Sequence, residues 1–186
     1  MDSQINSSQS PVEFEPLKFV PVFGTQTGIK DFAGSTLVIP SISAGFSPMI
    51  AADLYIMNEG FNKVGFLKSE YISPLVQNDI MRADGEAEGT IAMPVTLWRS
   101  PNSNYTFLVM RTGVTHGNMK KLGAALTHFI QEAGFKQVFL ISSTMSPVRR
   151  DRGSNRDIPN VWAYVNNMLY KKYINGPDKK SYYDTH

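Results

Sequence analysis

The sequence contains no cysteine among its 186 residues. The chain therefore forms no disulfide and offers neither a thiol nucleophile nor a thiolate metal ligand, which fits a reducing compartment. It also lacks an apolar run as long as a membrane span, and residues 1–6 lack the basic and apolar regions of a secretory signal. We therefore expect a soluble, intracellular protein without a membrane partner.

Charge of either sign is scarce. The chain has 18 Lys and Arg and 16 Asp and Glu residues, so its net charge is only +2. The basic residues form scattered pairs, whereas a nucleic-acid-binding surface typically has a continuous basic face, for example one that joins Arg149, Arg150 and Lys171. We therefore expect no nucleic-acid partner. The hydrophobic share of 42% is instead typical of a globular domain.

The texture of the sequence divides the chain into three parts. Residues 1–30 mix Ser, Gln, Pro and Gly with separated hydrophobic residues, which predicts a loose N-terminal arm. Residues 31–174 have the length and pattern of a single α/β domain, and residues 175–186 are polar, which predicts a flexible C-terminal end.

Apolar runs mark the strands of the predicted domain. Four such runs are typical of strands: residues 36–39, 63–67, 105–110 and 137–141. Residues 91–98 predict a further strand, in which Pro94 indicates an edge position or a bulge. A turn is expected at residues 100–104.

Between these strands, apolar residues recur at helical spacing and predict helices. Ile50, Leu54 and Met57 predict a first helix, with Ser47 as its N-cap and Pro48 at its first position. The clearest apolar helical face is formed by Leu122, Leu126, Phe129, Ile130 and Ala133, and a last helix is expected from near Asp157 or Pro159. Two β-α-β units result, so we predict an α/β fold with a mostly parallel sheet and helices on both faces.

Any small-molecule site of such a fold is expected beyond the carboxyl ends of its strands. The loop that carries Ser41, Ser43 and Gly45 has the residue types to present backbone N–H groups to an anion. It contains neither the Walker pattern nor the dinucleotide glycine fingerprint, so a plain strand-to-helix turn is the competing and favoured interpretation.

Catalytic and metal-binding patterns are weak. Ser142, His116 and Asp53 have the residue types of a hydrolytic triad, but nothing in their spacing fixes a triad geometry. His116 and His128 are not accompanied by a carboxylate at metal-ligand spacing, and His128 is expected beside the apolar face of its helix. We therefore assign no catalytic, cofactor-binding or metal-ligating residue, and predict a protein that is not an enzyme.

An aromatic cluster on the predicted last helix suggests protein binding. Trp and Tyr are enriched at the energetic centres of protein interfaces. The cluster consists of Trp162, Tyr164, Tyr170 and Tyr173. We expect half of it to be core and half to be available for contact.

The opening of the domain resembles the proteasome assembly chaperone 2 family. The resemblance is carried by an apolar strand, a proline and a serine-containing stretch that ends in glycine at residues 32–45. It continues at residues 51–54, 63–66 and 73–79, and resumes at residues 138–143 before the charged stretch around Arg149. In all it covers about residues 31–174, and the order of the elements carries more of it than any one motif.

The resemblance implies a chaperone without enzymatic activity, found in the cytoplasm and nucleus and built on a nucleoside-phosphorylase-like sandwich. It implies a heterodimer with proteasome assembly chaperone 1 that binds α-type subunits while the α ring of the 20S proteasome forms. The alternative is a small α/β enzyme that acts on a nucleoside-like metabolite.

Some family members end in a hydrophobic-Tyr-any tripeptide that docks on the α ring. This chain ends in Asp184-Thr185-His186, so we expect a fragment, a short isoform or a divergent member, to which that docking does not carry over.

Overall fold

The structure, a computed structural model, describes residues 12–24, 27–75, 77–78 and 91–143. The chain divides into two units, and all of these residues belong to the first, Met1–Ser146. The charged stretch around Arg149, the predicted last helix with its aromatic cluster, and residues 175–186 lie outside the described residues. The expectations for them, including the domain bounds 31–174, stay predictions.

The described residues form strands and helices that are named here in chain order. They are β1 (Lys18–Pro21), a 3-10 helix (Ile29–Phe32), β2 (Thr36–Pro40), a second 3-10 helix (Ala44–Phe46), α1 (Ser47–Asn58), β3 (Asn62–Lys68), β4 (Gln77–Asn78), β5 (Ile91–Ala92), β6 (Val95–Arg99), β7 (Tyr105–Met110), α2 (Met119–Ala133) and β8 (Gln137–Ile141). β4 and β5 pair with each other, and the remaining six strands form one sheet in the order β1-β3-β6-β7-β2-β8.

The sheet is mixed, which corrects the prediction of a mostly parallel one. β2 pairs in parallel with β7 and with β8, whereas the pairs β1–β3, β3–β6 and β6–β7 are antiparallel. β6 and β7 are joined by residues 100–104, and so short a connection permits only an antiparallel pair. β2, β3, β7 and β8 do run in one direction, but β6 lies between β3 and β7.

Each face of the sheet packs against one helix, so the α/β class with helices on both faces is confirmed. On one face, α2 buries Leu122, Ala125 and Phe129 against a core that includes Leu37 and Leu108. On the other face, α1 buries Ala52 and Ile56 with Val38, Phe107 and Trp98. Neighbouring residues of β2 thus enter opposite cores, as the alternation of side chains along a strand requires.

Part of the predicted loose arm belongs to the sheet. Lys18–Pro21 is the edge strand β1, and Leu17 just before it is buried. The ring of Phe19 lies over Gly65 of β3, where a Cβ atom would come within 2.3 Å of it. Glycine at this position therefore gives the arm room to pack, a long-range contact without a local sequence pattern.

Candidate functional site

The carboxyl ends of β2, β7 and β8 bring three loops to one edge of the sheet. Ser41 and Ser43 follow β2, Arg111 follows β7, and Ser143 comes shortly after β8. Since these strands run parallel, this is the edge where open α/β sheets bind ligands. What these side chains contact therefore decides whether they are available for chemistry.

Hydrogen bonds of the serines at this edge join the loop after β2 to the residues at the end of β8. The backbone N–H of Ser143 donates to Ser43 Oγ at 3.0 Å, and the Ser143 hydroxyl donates to the Ala44 carbonyl at 2.5 Å. The backbone N–H of Ser41 donates to the Ile141 carbonyl at 2.8 Å. These bonds tie the β2–α1 loop to the end of β8. The hydroxyl of Ser41 is buried and makes no hydrogen bond with any of the described residues.

Asp53 is held by an arginine rather than by a histidine. Arg111 Nη1 lies 3.1 Å from Asp53 Oδ2, and Arg111 Nη2 lies 2.9 Å from Asp53 Oδ1, in a two-pronged ion pair that is largely buried. His116 and Ser142 are exposed, and no hydrogen bond within the described residues joins either of them to Asp53. The three candidate triad residues therefore do not form a catalytic triad in this structure.

The start of α1 differs by one residue from the prediction. Ser47 is its first helical residue rather than its N-cap, and Phe46 takes the N-cap position with a φ of 52°. A bulky side chain rarely adopts this left-handed conformation, which costs roughly 1–2 kcal/mol. Gly45 before it also has a positive φ, of 67°. Phe46 therefore has a strained backbone conformation, and its side chain lies on the surface.

The described part of the chain contains neither a metal-ion cluster nor a membrane-spanning helix. There, no group of three His, Asp or Glu side chains is arranged to hold a metal ion. His128 is exposed, with its ring edge-on to Phe14 at 5.9 Å between centroids, as expected for a residue beside the apolar helix face. No helix among the described residues is both long and apolar enough to span a membrane.

An unusual surface lies on α1 and its N-cap. Four large apolar side chains there are more than half exposed: Phe46 (56%), Ile50 (54%), Leu54 (57%) and Met57 (58%). We call these four residues the α1 stripe. The predicted helix is confirmed, but a different set of its residues faces the core. Met49, Ala52 and Ile56 are buried, and Ile50, Leu54 and Met57 lie on the outer side. In the sequence, Ile50, Leu54 and Met57 indicated a helix, but no local pattern marked them as a surface.

The chain matches the family model of the PAC2 family over residues 37–182. It is 28% identical to "Proteasome assembly chaperone 2" of Nematostella vectensis over 123 residues, which are 65% of this chain and 50% of the relative. It is 29% identical to "Proteasome assembly chaperone 2" of Xenopus laevis over 135 residues, which are 72% of this chain and 51% of the relative. The chain thus spans about half the length of these curated relatives.

A solved structure gives the same picture of the fold. Pyrococcus furiosus PbaA, described as an archaeal homolog of proteasome-assembly chaperone, matches with a TM-score of 0.50. Its sequence identity is 12%, and the match covers 68% of this chain and 45% of that chain. At this identity the likeness concerns the fold alone. Since the family model covers most of the chain, the chain belongs to the PAC2 family.

Proposed function

We propose that this chain is a chaperone of proteasome assembly. It pairs with proteasome assembly chaperone 1 as a heterodimer, binds α-type subunits and promotes formation of the α ring of the 20S proteasome. The observation that carries the proposal is the PAC2 family match over residues 37–182, together with relatives named for this role. We also propose the cytoplasm and nucleus as its compartments, as the resemblance implies.

The described surface supports a role in protein binding. The α1 stripe exposes large apolar side chains next to one another along a single helix. Contiguous apolar surface on a soluble domain typically marks a site of protein or ligand contact. The chemistry of this surface therefore suits a protein partner better than a charged metabolite.

The alternative, an enzyme that acts on a nucleoside-like metabolite, gains no support from the described residues. Both oxygens of Asp53 accept hydrogen bonds from Arg111, and the Ser43 hydroxyl accepts one from the Ser143 backbone. These groups hold loops and a helix together. We therefore keep the proposal of a chaperone that is not an enzyme.

Affinity purification of the tagged chain, followed by identification of the bound proteins, tests this proposal. We expect proteasome assembly chaperone 1 and α-type subunits among the specifically retained proteins. Ser43→Ala and His116→Ala are expected to leave this retention intact, because each removes only a local contact or an exposed ring. Loss of retention in a folded Ser43→Ala variant would contradict this expectation, and phosphorolysis of a nucleoside that either change abolishes would favour the enzyme.

A further inference from the structure

β1 is part of a longer segment that lies along β3. We call this segment, residues 14–22, the strap. Its backbone pairs with β3 in an antiparallel register that runs from Lys18 opposite Lys68 to Pro21 opposite Gly65. β1 is the first strand in the order of the sheet, so none of the described strands pairs with its other side. The strap is therefore held to the sheet along one side.

β3 has a space for the strap at Gly65. A Cβ atom added to this glycine would lie 2.3 Å from a ring carbon of Phe19 and 2.8 Å from the carbonyl oxygen of Val20, and its three nearest atoms all belong to the strap. Gly65 has no positive φ, so its backbone conformation does not require glycine. The close approach of the strap is therefore the structural reason for a glycine at this position.

Two side chains of the strap anchor it to the domain. The ring of Phe19 lies edge-on to the fully buried ring of Phe32, with 5.4 Å between the centroids. Leu17 is buried in the same core, whereas Lys18 and Val20 are exposed. Alternate residues of an extended segment point to the same side, which explains this pattern. The position along β3 therefore suits an extended segment with an apolar residue and an aromatic residue separated by one residue.

Apart from these anchors, the strap is held weakly. Lys18 lies directly opposite Lys68, and like charges at directly opposite positions destabilise a strand pair. Three of the four residues of β1 are exposed. A cleft lies between the start of the strap and the end of β3, where the Glu15 N–H donates a hydrogen bond to the Tyr71 hydroxyl at 2.5 Å. Elements with few buried apolar contacts are those that open locally while the rest of a domain stays folded.

We infer that the edge of β3 is a binding site for an extended protein segment, and that the strap occupies this site within the chain and releases it to a segment with the same apolar-any-aromatic pattern. β3 keeps its pairing with β6 when the strap leaves, so the sheet stays folded. Addition of a strand to a sheet edge is a common mode of peptide recognition. A competing segment with an acidic residue in place of Lys18 faces Lys68 with the opposite charge, so it pairs more strongly than the strap does. The inference goes beyond the proposed function and does not rest on it.

A synthetic peptide with the sequence of residues 12–24 tests the site in the purified 186-residue chain. Two full-length variants loosen the strap but differ in the site that it leaves. Phe19→Ala removes an anchor and leaves the space at Gly65 open, so the peptide should bind this variant at least about tenfold more tightly than the unaltered chain. Gly65→Ala displaces the strap but fills the space, so it should not tighten peptide binding. Fluorescence anisotropy of a labelled peptide measures both affinities.

Substitutions in the peptide test the chemistry that the site selects. A peptide with Lys18→Glu should bind the Phe19→Ala chain about 2–5-fold more tightly than the original peptide, because its carboxylate faces Lys68. This gain should shrink at about 1 M salt, which screens exposed charges. A peptide with Val20→Thr is the matched control, since it changes an exposed β-branched residue and should bind as the original peptide does.

Hydrogen exchange of the unaltered chain tests whether the strap opens by itself. The amides of β1 should exchange at least about tenfold faster than those of β2, which is paired on both sides. Full-length Lys18→Glu removes the like-charge pair, so it should slow exchange in β1 about 2–5-fold and leave β2 unchanged.

Three results would overturn the inference. The first is a Phe19→Ala chain with unchanged circular dichroism that does not bind the peptide at about 100 µM, well above the range of specific binding. The second is a folded Gly65→Ala chain that binds the peptide as tightly as the Phe19→Ala chain does. The third is equal exchange of the β1 and β2 amides in the unaltered chain, which would make the strap a fixed part of the sheet.

Discussion

Helices α1 and α2 pack on opposite faces of one sheet, and their inner sides are alike while their outer sides differ. Each helix buries small and large apolar residues against the strands. The outer side of α2 exposes charged and polar residues: Lys120, Lys121, His128, Gln131 and Glu132. The outer side of α1 exposes the α1 stripe instead.

The difference shows that apolar residues on a helix can serve either the stability of the domain or contact with another protein. On α2, apolar residues stabilise the domain, and the charged side keeps the helix solvated. On α1, one set of apolar residues stabilises the domain, and a second set remains available for contact with another protein. The two helices also differ in their ion pairs among the described residues. Asp53 of α1 binds Arg111, which follows β7, whereas His128 and Glu132 both lie on α2.

The largest effect is expected on the inner side of α2. Phe129 is 1% exposed and packs at the centre of its core, so Phe129→Ala should lower the free energy of unfolding by about 3–5 kcal/mol. Denaturant unfolding followed by circular dichroism measures this loss. Thr127→Ala, on the outer side of the same helix, should change the value by less than about 0.5 kcal/mol. Similar losses in both variants would remove the distinction between the two sides.

The second effect concerns the ion pair that fastens α1. Arg111→Ala leaves the Asp53 carboxylate largely buried without its guanidinium, which should cost about 2–4 kcal/mol of stability. Changing Glu132 to Ala on α2 breaks a half-exposed pair and should cost less than about 0.5 kcal/mol. Unfolding of both variants in the same denaturant series compares them. An Arg111→Ala variant as stable as the parent would show that the pair does not fasten the helix.

A smaller effect of opposite sign is expected at Phe46. Phe46→Gly relieves the positive φ and should raise the free energy of unfolding of the monomer by up to about 1 kcal/mol. Phe46→Ala removes the same ring but keeps the strain, so it serves as the matched comparison. Thermal unfolding at low protein concentration reports both values. If the Phe46→Gly variant is less stable than the parent chain, the Phe46 ring stabilises the fold rather than serving as a contact for another molecule.

The smallest effect on stability is expected at the stripe. Leu54→Glu changes an exposed side chain away from the core, so the free energy of unfolding of the monomer should shift by no more than about 0.5 kcal/mol. Chemical unfolding at low protein concentration measures it. A loss of several kcal/mol would mean that Leu54 belongs to the core of its own chain, and the contrast with α2 would disappear.

Sequence patterns predicted most elements of the fold but not how they are arranged. The strands β2, β3, β7 and β8 and both helices were predicted because apolar runs and helical spacing are local signals. The position of β6 between β3 and β7 was missed, although the short turn after β6 already requires an antiparallel pair. β1 was missed because its packing over Gly65 depends on a contact far along the chain.

The inner side of α1 was not predictable for a different reason. The set Ile50, Leu54 and Met57 and the set Met49, Ala52 and Ile56 both have helical spacing, so periodicity alone does not say which one faces the sheet. The partner of Asp53 was hidden in the same way, because Arg111 lies 58 residues further along the chain. Both the side of α1 that faces the sheet and the partner of Asp53 follow from the strand order of the sheet, which local patterns do not give.

The most direct test of the proposed function is binding between the purified chain and purified proteasome assembly chaperone 1. We predict that the two proteins elute together as a complex in size-exclusion chromatography, and that this complex retains added α-type subunits that neither an unrelated α/β domain nor buffer retains. Separate elution of the two folded proteins at about 10 µM, a concentration at which stable heterodimers are largely associated, would contradict the account.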